Sequence, residues 1–285
     1  MKSMLLAAFA ALTLAAPTAQ AGCGPSNDAC EIPLGQYHIA LPPDVTDPAE
    51  ALPVVIFLHG AGGSGEASLR NSGMVNAVLD RGYAFIAPDG SPREGRFGTG
   101  WNFHPDFPQG RDELVFMKQV VTDAASRFHI NPDRVLLAGF SVGGSMVTYL
   151  ACRDPNAFAA FAPVAGSFWR PHPTSCAGPV RLFHTHGWRD TTVPLEGRPL
   201  RNGTLIQGDV FHAMEIWRDT NGCKMMRPDS FSENGVFWRR KWTDCTPGSA
   251  LEFALHPGAH GVPNGWAPMV LDWFEALHIE DPVQN

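Results

Sequence analysis

The sequence predicts an α/β fold: a mostly parallel sheet covered by helices on both faces. Strand-length apolar runs alternate along the chain with segments of helical period, the pattern of βαβ units. Residues 54–58 are apolar at every position, which reads as a strand buried on both faces rather than on one. Two glycine-rich segments, residues 59–65 and 139–144, stand where apolar runs stop.

In chain order, residues 37–41 read as a strand ended by Pro42-Pro43, and residues 54–58 as the buried strand. Residues 68–80 read as a helix and 83–87 as a strand closed by Pro88-Asp89-Gly90. Residues 91–110 hold too much glycine, proline and aromatic for either element and read as a long loop over the site. Residues 112–128 read as an amphipathic helix with Leu114, Val115, Met117, Val120, Val121 and Ala124 on one side. Asn131-Pro132-Asp133 is a turn into the apolar run 135–138. Strands follow at 158–164 and 180–185, a helix at 210–221, strands at 237–242 and 251–255, and a closing helix at 269–278.

The most informative segment is Gly139-Phe140-Ser141-Val142-Gly143, a G-x-S-x-G turn with an apolar run before it and a helical pattern after it. A Cβ at Gly139 or Gly143 would collide with the neighbouring strand or helix in so tight a turn. The serine is thereby pushed out at the carboxyl end of the sheet, with a helix N-terminus behind it. A serine hydroxyl needs a base, and with this turn the chain order is serine, acid, histidine. The acid is expected at the end of a later strand, and Asp190 follows residues 180–185 through His186-Gly187-Trp188-Arg189. Two histidines follow residues 251–255. His256 continues the strand, whereas His260 lies past Pro257-Gly258-Ala259 in a loop, so His260 is preferred. The N–H groups of Val142 and Ala61 are the expected oxyanion donors, Ala61 because glycines flank it on both sides. His59 and His186 are expected to brace the loops carrying Ala61 and Asp190. Trp101 and Trp188 are candidate flat walls for a substrate, with Phe103 and Trp266 nearby in sequence.

Bulk properties narrow the remaining classes. Charged residues make up 17 % of the chain and the net charge is −7, which argues against nucleic acid or anionic membranes as targets. Residues 1–21 read as a cleaved export signal: Lys2, a short apolar core at 5–14, and Ala19-Gln20-Ala21. That core is too short for a membrane span. Residues 22–285 then form one catalytic domain, secreted or periplasmic. The six cysteines of an exported chain point to disulfides, with nearest-neighbour pairing expected: Cys23–Cys30, Cys152–Cys176 and Cys223–Cys245. Residues 20–23 also faintly resemble a lipoprotein cleavage box, which would acylate Cys23; the box lacks its aliphatic residue at Gln20. There is no Cys-x-x-Cys or His-Glu-x-x-His, and residues 60–65 lack the Gly-Lys-Ser/Thr of a phosphate loop, so no metal or cofactor is expected.

Taken together, six segments resemble the secreted polyhydroxybutyrate depolymerase-like esterases, a group that includes feruloyl and acetylxylan esterases. They are Leu58-His59-Gly60-Ala61-Gly62-Gly63, Gly139 to Gly144, Ala162-Pro163-Val164-Ala165-Gly166, His186-Gly187 through Asp190 to Val193-Pro194, Asn221-Gly222-Cys223, and Gly258-Ala259-His260. The resemblance implies an α/β-hydrolase fold, ester cleavage without a cofactor, export, and the bridges Cys152–Cys176 and Cys223–Cys245. The substrates it implies are polyesters such as polyhydroxybutyrate, or feruloyl and acetyl esters on plant polysaccharide. The sequence departs from the group after His260, where Val262-Pro263-Asn264 replaces an aromatic followed by Pro-Gly. A peptidase of the same fold shares the triad order; a binding protein without turnover is disfavoured by the intact serine, aspartate and histidine.

Overall fold

The computed structural model describes residue 23 and residues 28–43, 50–92, 98–104 and 110–277. The export signal predicted at residues 1–21 lies outside them. One ten-stranded sheet organises the chain. Its strands are β1 (Cys30–Ile32), β2 (Gly35–Ala40), β3 (Leu52–Leu58), β4 (Ala84–Pro88), β5 (Ile130–Phe140), β6 (Ala160–Val164), β7 (Arg181–Gly187), β8 (Ser230–Asn234), β9 (Phe237–Trp242) and β10 (Ala250–His256). The spatial order is β1-β2-β4-β3-β5-β6-β7-β10-β9-β8. The six strands from β4 to β10 run parallel, and an antiparallel pair borders them at each edge.

The uniform apolarity of β3 has the cause anticipated. Val54, Ile56 and Leu58 enter one core with the helices α3 (Glu113–Phe128), α4 (Val142–Arg153) and α5 (Val210–Thr220). Val55 and Phe57 enter the opposite core with α2 (Ser72–Leu79) and α6 (Trp266–Glu275). Alternate side chains leave opposite faces of a strand, so a strand covered on both sides favours apolar residues at successive positions.

Several boundaries differ from expectation. The helix expected at 68–80 is two: α1 (Gly65–Leu69) and α2, separated at Arg70-Asn71. Asn71 accepts the Met74 N–H and starts a new helix, because a side-chain amide competes for backbone donors. The turn at Asn131-Pro132-Asp133 is absorbed into β5 as an irregularity. Asn131 Oδ1 accepts the Asp133 N–H (2.9 Å), and the register against β3 jumps from Leu52↔Ile130 to Val54↔Val135. The loop expected at 91–110 contains a two-strand pairing, Ser91–Pro92 with Thr99–Gly100; residues 93–97 and 105–109 lie outside the described residues. Helix α6 starts at Trp266 rather than Met269, with Pro268 in its first turn, where a missing N–H leaves no bond unmade. His278 lies outside the described residues. The edge strands β1 and β8 were not anticipated. All five residues of β8 are exposed, so no apolar pattern marks it; the turn Gly235-Val236, with Gly235 at φ 58°, folds it onto β9.

Cys23–Cys30, Cys152–Cys176 and Cys223–Cys245 are disulfide-bonded. The Cys23 sulfur is thereby engaged, the pairing that acylation would forbid. No helix among the described residues is long and apolar enough to cross a membrane.

Candidate active site

The site lies where the parallel strands end. Ser141 directly follows β5 and caps α4, with φ 57° and ψ −122°, a backbone region that side-chain-bearing residues rarely occupy. Neighbouring contacts hold it there. Its N–H donates to the Val164 carbonyl (2.9 Å). A Cβ on Gly143 would stand 2.2 Å from the Leu58 carbonyl oxygen, and one on Gly139 2.7 Å from the Gly143 backbone. The turn is possible because those side chains are missing.

Asp190 follows β7 in a tight turn, its N–H donating to the Gly187 carbonyl (3.1 Å). This turn lies on the loop after β10: the Trp188 N–H donates to the His256 carbonyl (3.0 Å) and the Arg189 N–H to the Gly258 carbonyl (3.2 Å). The two carboxylate oxygens have separate partners. Oδ1 accepts the N–H groups of Thr192 and Val193, each at 2.8 Å, and Oδ2 faces His260 Nδ1 at 2.7 Å. His260 Nε2 lies 2.9 Å from Ser141 Oγ, 119 residues away in sequence. A carboxylate only accepts, so the imidazole proton sits on Nδ1 and the Nε2 lone pair faces the hydroxyl. His256, the other candidate, is buried at the end of β10, where its Nδ1 accepts the Gly258 N–H (3.1 Å).

The glycine-rich loop after β3 passes beside the serine. A Cβ on Gly60 would lie 3.4 Å from Ser141 Cβ, and Ala61 follows it, exposed. Val142 is the first residue of α4, where a backbone N–H has no partner within the helix. His59 fastens the loop: Nδ1 donates to the Gly60 carbonyl (2.7 Å), and Nε2 accepts the Gly90 N–H (3.0 Å). Sequence reasoning missed Asp89, which accepts the Gly65 N–H (2.6 Å) at the far end of the same loop. Burial opposes its charge, yet hydrogen bonds from His38, Gln36 and Gly65 hold its pKa down at about 2.

The two candidate wall residues part ways. Trp101 is 2 % exposed and donates its indole N–H to the His59 carbonyl (2.8 Å), so it stands beneath the loop rather than facing a ligand. Trp188 remains 37 % exposed. Phe140 packs on the His260 ring, with centroids 4.7 Å apart. Phe103 and Trp266 are both buried.

Behind Asp190 lies a buried pair of histidines. His186 donates from Nε2 to the Val193 carbonyl (2.8 Å), which leaves Nδ1 of the neutral ring as acceptor for His184 Nε2 (3.1 Å). His184 was unremarkable in sequence; only strand periodicity, two residues before His186 on one face, marks it. Burial lowers both pKa values, to about 4 for His186, where the Val193 and Asp190 contacts only partly compensate. The unfolded chain therefore takes up these protons first, near pH 6.5. The stabilisation is complete above that pH and is lost as pH falls toward 4. Urea unfolding midpoints at pH 7.5 and 4.5 are expected to differ accordingly, and His186→Gln should narrow the gap.

The profile of a family described as "Putative esterase" matches residues 35–194. Feruloyl esterase B of Piromyces equi is 27 % identical over 189 residues, covering 61 % of this chain and 33 % of that protein. Poly(3-hydroxyalkanoate) depolymerase C of Paucimonas lemoignei is 29 % identical over 130 residues, covering 46 % and 30 % respectively. The matches span about a third of the length of these two curated relatives. The structure of an acetyl xylan esterase from Aspergillus awamori aligns with a TM-score of 0.61 at 16 % identity, covering 84 % of this chain and 93 % of that one. That likeness establishes the α/β-hydrolase fold. With more than half its residues matched by the family profile, the chain belongs to that esterase family.

Proposed function

We propose that residues 22–285 form an exported serine hydrolase that cleaves carboxylic esters carried on a polymer, either a polyhydroxybutyrate-type polyester or an acylated plant polysaccharide. The observation that carries this reading is the continuous chain Asp190 Oδ2–His260 Nδ1 (2.7 Å) and His260 Nε2–Ser141 Oγ (2.9 Å). The hydroxyl attacks the ester carbonyl as His260 takes its proton. Charge on the carbonyl oxygen is met by the N–H groups of Val142 and Ala61. Collapse breaks the bond to the alcohol, which leaves with the proton from His260. Water then attacks the acyl group on Ser141, His260 again taking and returning a proton, and the free acid departs. Every proton moves through this chain's own groups, so the reaction calls for no cofactor. Three disulfides suit an oxidising compartment, in keeping with export.

The test is a pre-steady-state assay with p-nitrophenyl butyrate. We expect a nitrophenol burst equal to the enzyme concentration, abolished by an organophosphate that labels Ser141. Hydrolysis undiminished after stoichiometric labelling of Ser141 would overturn the proposal. Methyl ferulate, acetylated xylan and polyhydroxybutyrate film, tried in parallel, identify the polymer.

A further inference from the structure

The aromatic residues outside the catalytic cluster are not all buried. Trp188 and Trp238 pack on each other with centroids 4.4 Å apart and planes 32° apart, yet remain 37 % and 46 % exposed. Phe231, on the edge strand β8, is 68 % exposed. Strand pairing locates these residues. Trp238 on β9 stands opposite Leu255, the residue before His256, so it lies at the same end of the sheet as the catalytic loops. Trp188 is two residues from Asp190, and its backbone is bonded to the loop carrying His260. Phe231 stands opposite Arg240, two residues along β9 from Trp238. An open cavity of about 460 Å³ is lined here by Phe231, Ser232, Glu233, Trp238, Arg239 and Arg240. That volume falls within the range small ligands occupy.

We infer that the Trp188–Trp238 pair and the adjoining cavity bind a run of a neutral polysaccharide outside the catalytic cluster. The inference deepens the proposed function and rests on it for the nature of the substrate. Flat exposed rings offer a sugar's C–H face the apolar surface that it buries readily. The polar groups decide between the two polymers. Arg240, whose guanidinium lies over the Phe231 ring at 6.0 Å, lines the cavity and offers N–H donors that need acceptors. Glu233, close by in the lining, needs donors if it is to lose water. Sugar hydroxyls supply both, whereas the repeat of a polyester only accepts. One carboxylate and one guanidinium facing the same cavity, with Arg239 already paired to Glu252, suit a ligand without charge. Continuity with the Asp190 turn places the bound chain beside the site where its ester would react.

Affinity electrophoresis of the full chain in gels containing soluble xylan tests this without relying on turnover. We expect retardation of the wild type, loss of at least about ten-fold in affinity for Trp238→Ala, and retention by Trp238→Phe, which keeps a flat ring. Unfolding midpoints of both variants establish that they are folded. Arg240→Met, which keeps the stem and removes the donors, should also weaken retardation. Three results would overturn the inference: no retardation of the wild type, equal retardation of folded Trp238→Ala, or adsorption to polyhydroxybutyrate granules with none to xylan. Concentration-dependent dimerisation lost in Trp238→Ala would assign the patch to a second copy and likewise overturn it. The nitrophenol burst stands apart from all of these, so a failed platform and a failed esterase give different results.

Discussion

Ser141→Ala is expected to lower kcat toward p-nitrophenyl butyrate by about 10⁶-fold, with little change in KM. The alanine retains the backbone contacts that position the elbow, including the N–H bond to Val164, and removes only the oxygen facing His260. Residual hydrolysis would come from water placed against the oxyanion donors. Kinetics of the folded variant decide the matter: a loss under ten-fold would mean that the nucleophile lies elsewhere.

Asp190→Asn should lower kcat by about 10⁴-fold, and the structure gives a specific reason. The Thr192 and Val193 N–H groups require an acceptor at the Oδ1 position. An asparagine must therefore keep its carbonyl oxygen there and turn its NH₂ toward His260. Nδ1 then becomes the acceptor, the ring proton moves to Nε2, and the face toward Ser141 can no longer take a proton. NMR of the imidazole nitrogens would show the exchanged tautomer, with the unfolding midpoint close to that of wild type. A variant of normal activity, or one with the wild-type tautomer, would contradict this account.

The candidate site was legible in sequence because steric need leaves marks. Gly139 and Gly143 must be glycine where backbones meet, and an acid and a histidine must follow in a set order for strand ends to deliver them. Strands β3 and β4 were legible for a similar reason, since burial on both faces favours an apolar run. What escaped lacks such marks. Strand β8 is solvated on both faces and exists through pairing with β9, a partner that local composition does not reveal. The division between α1 and α2 rests on one amide, Asn71, competing for one N–H. Trp101 occurs in a glycine-rich stretch where flat walls are common, and only tertiary packing shows its ring turned under the loop. His184 depends on a contact across the strand face whose meaning appears once His186 and Val193 are in place.

The torsion at Ser141 carries a consequence for heat tolerance. Ordinary side chains avoid that conformation, and the rest of the domain, through the Val164 carbonyl and the packed glycines, keeps it from relaxing. In the proposed mechanism, ruggedness and turnover are thus set against each other at one residue: a replacement that eases the backbone also discards the attacking hydroxyl. Stabilising substitutions are therefore expected away from the elbow, at the β1–β2 border of the sheet.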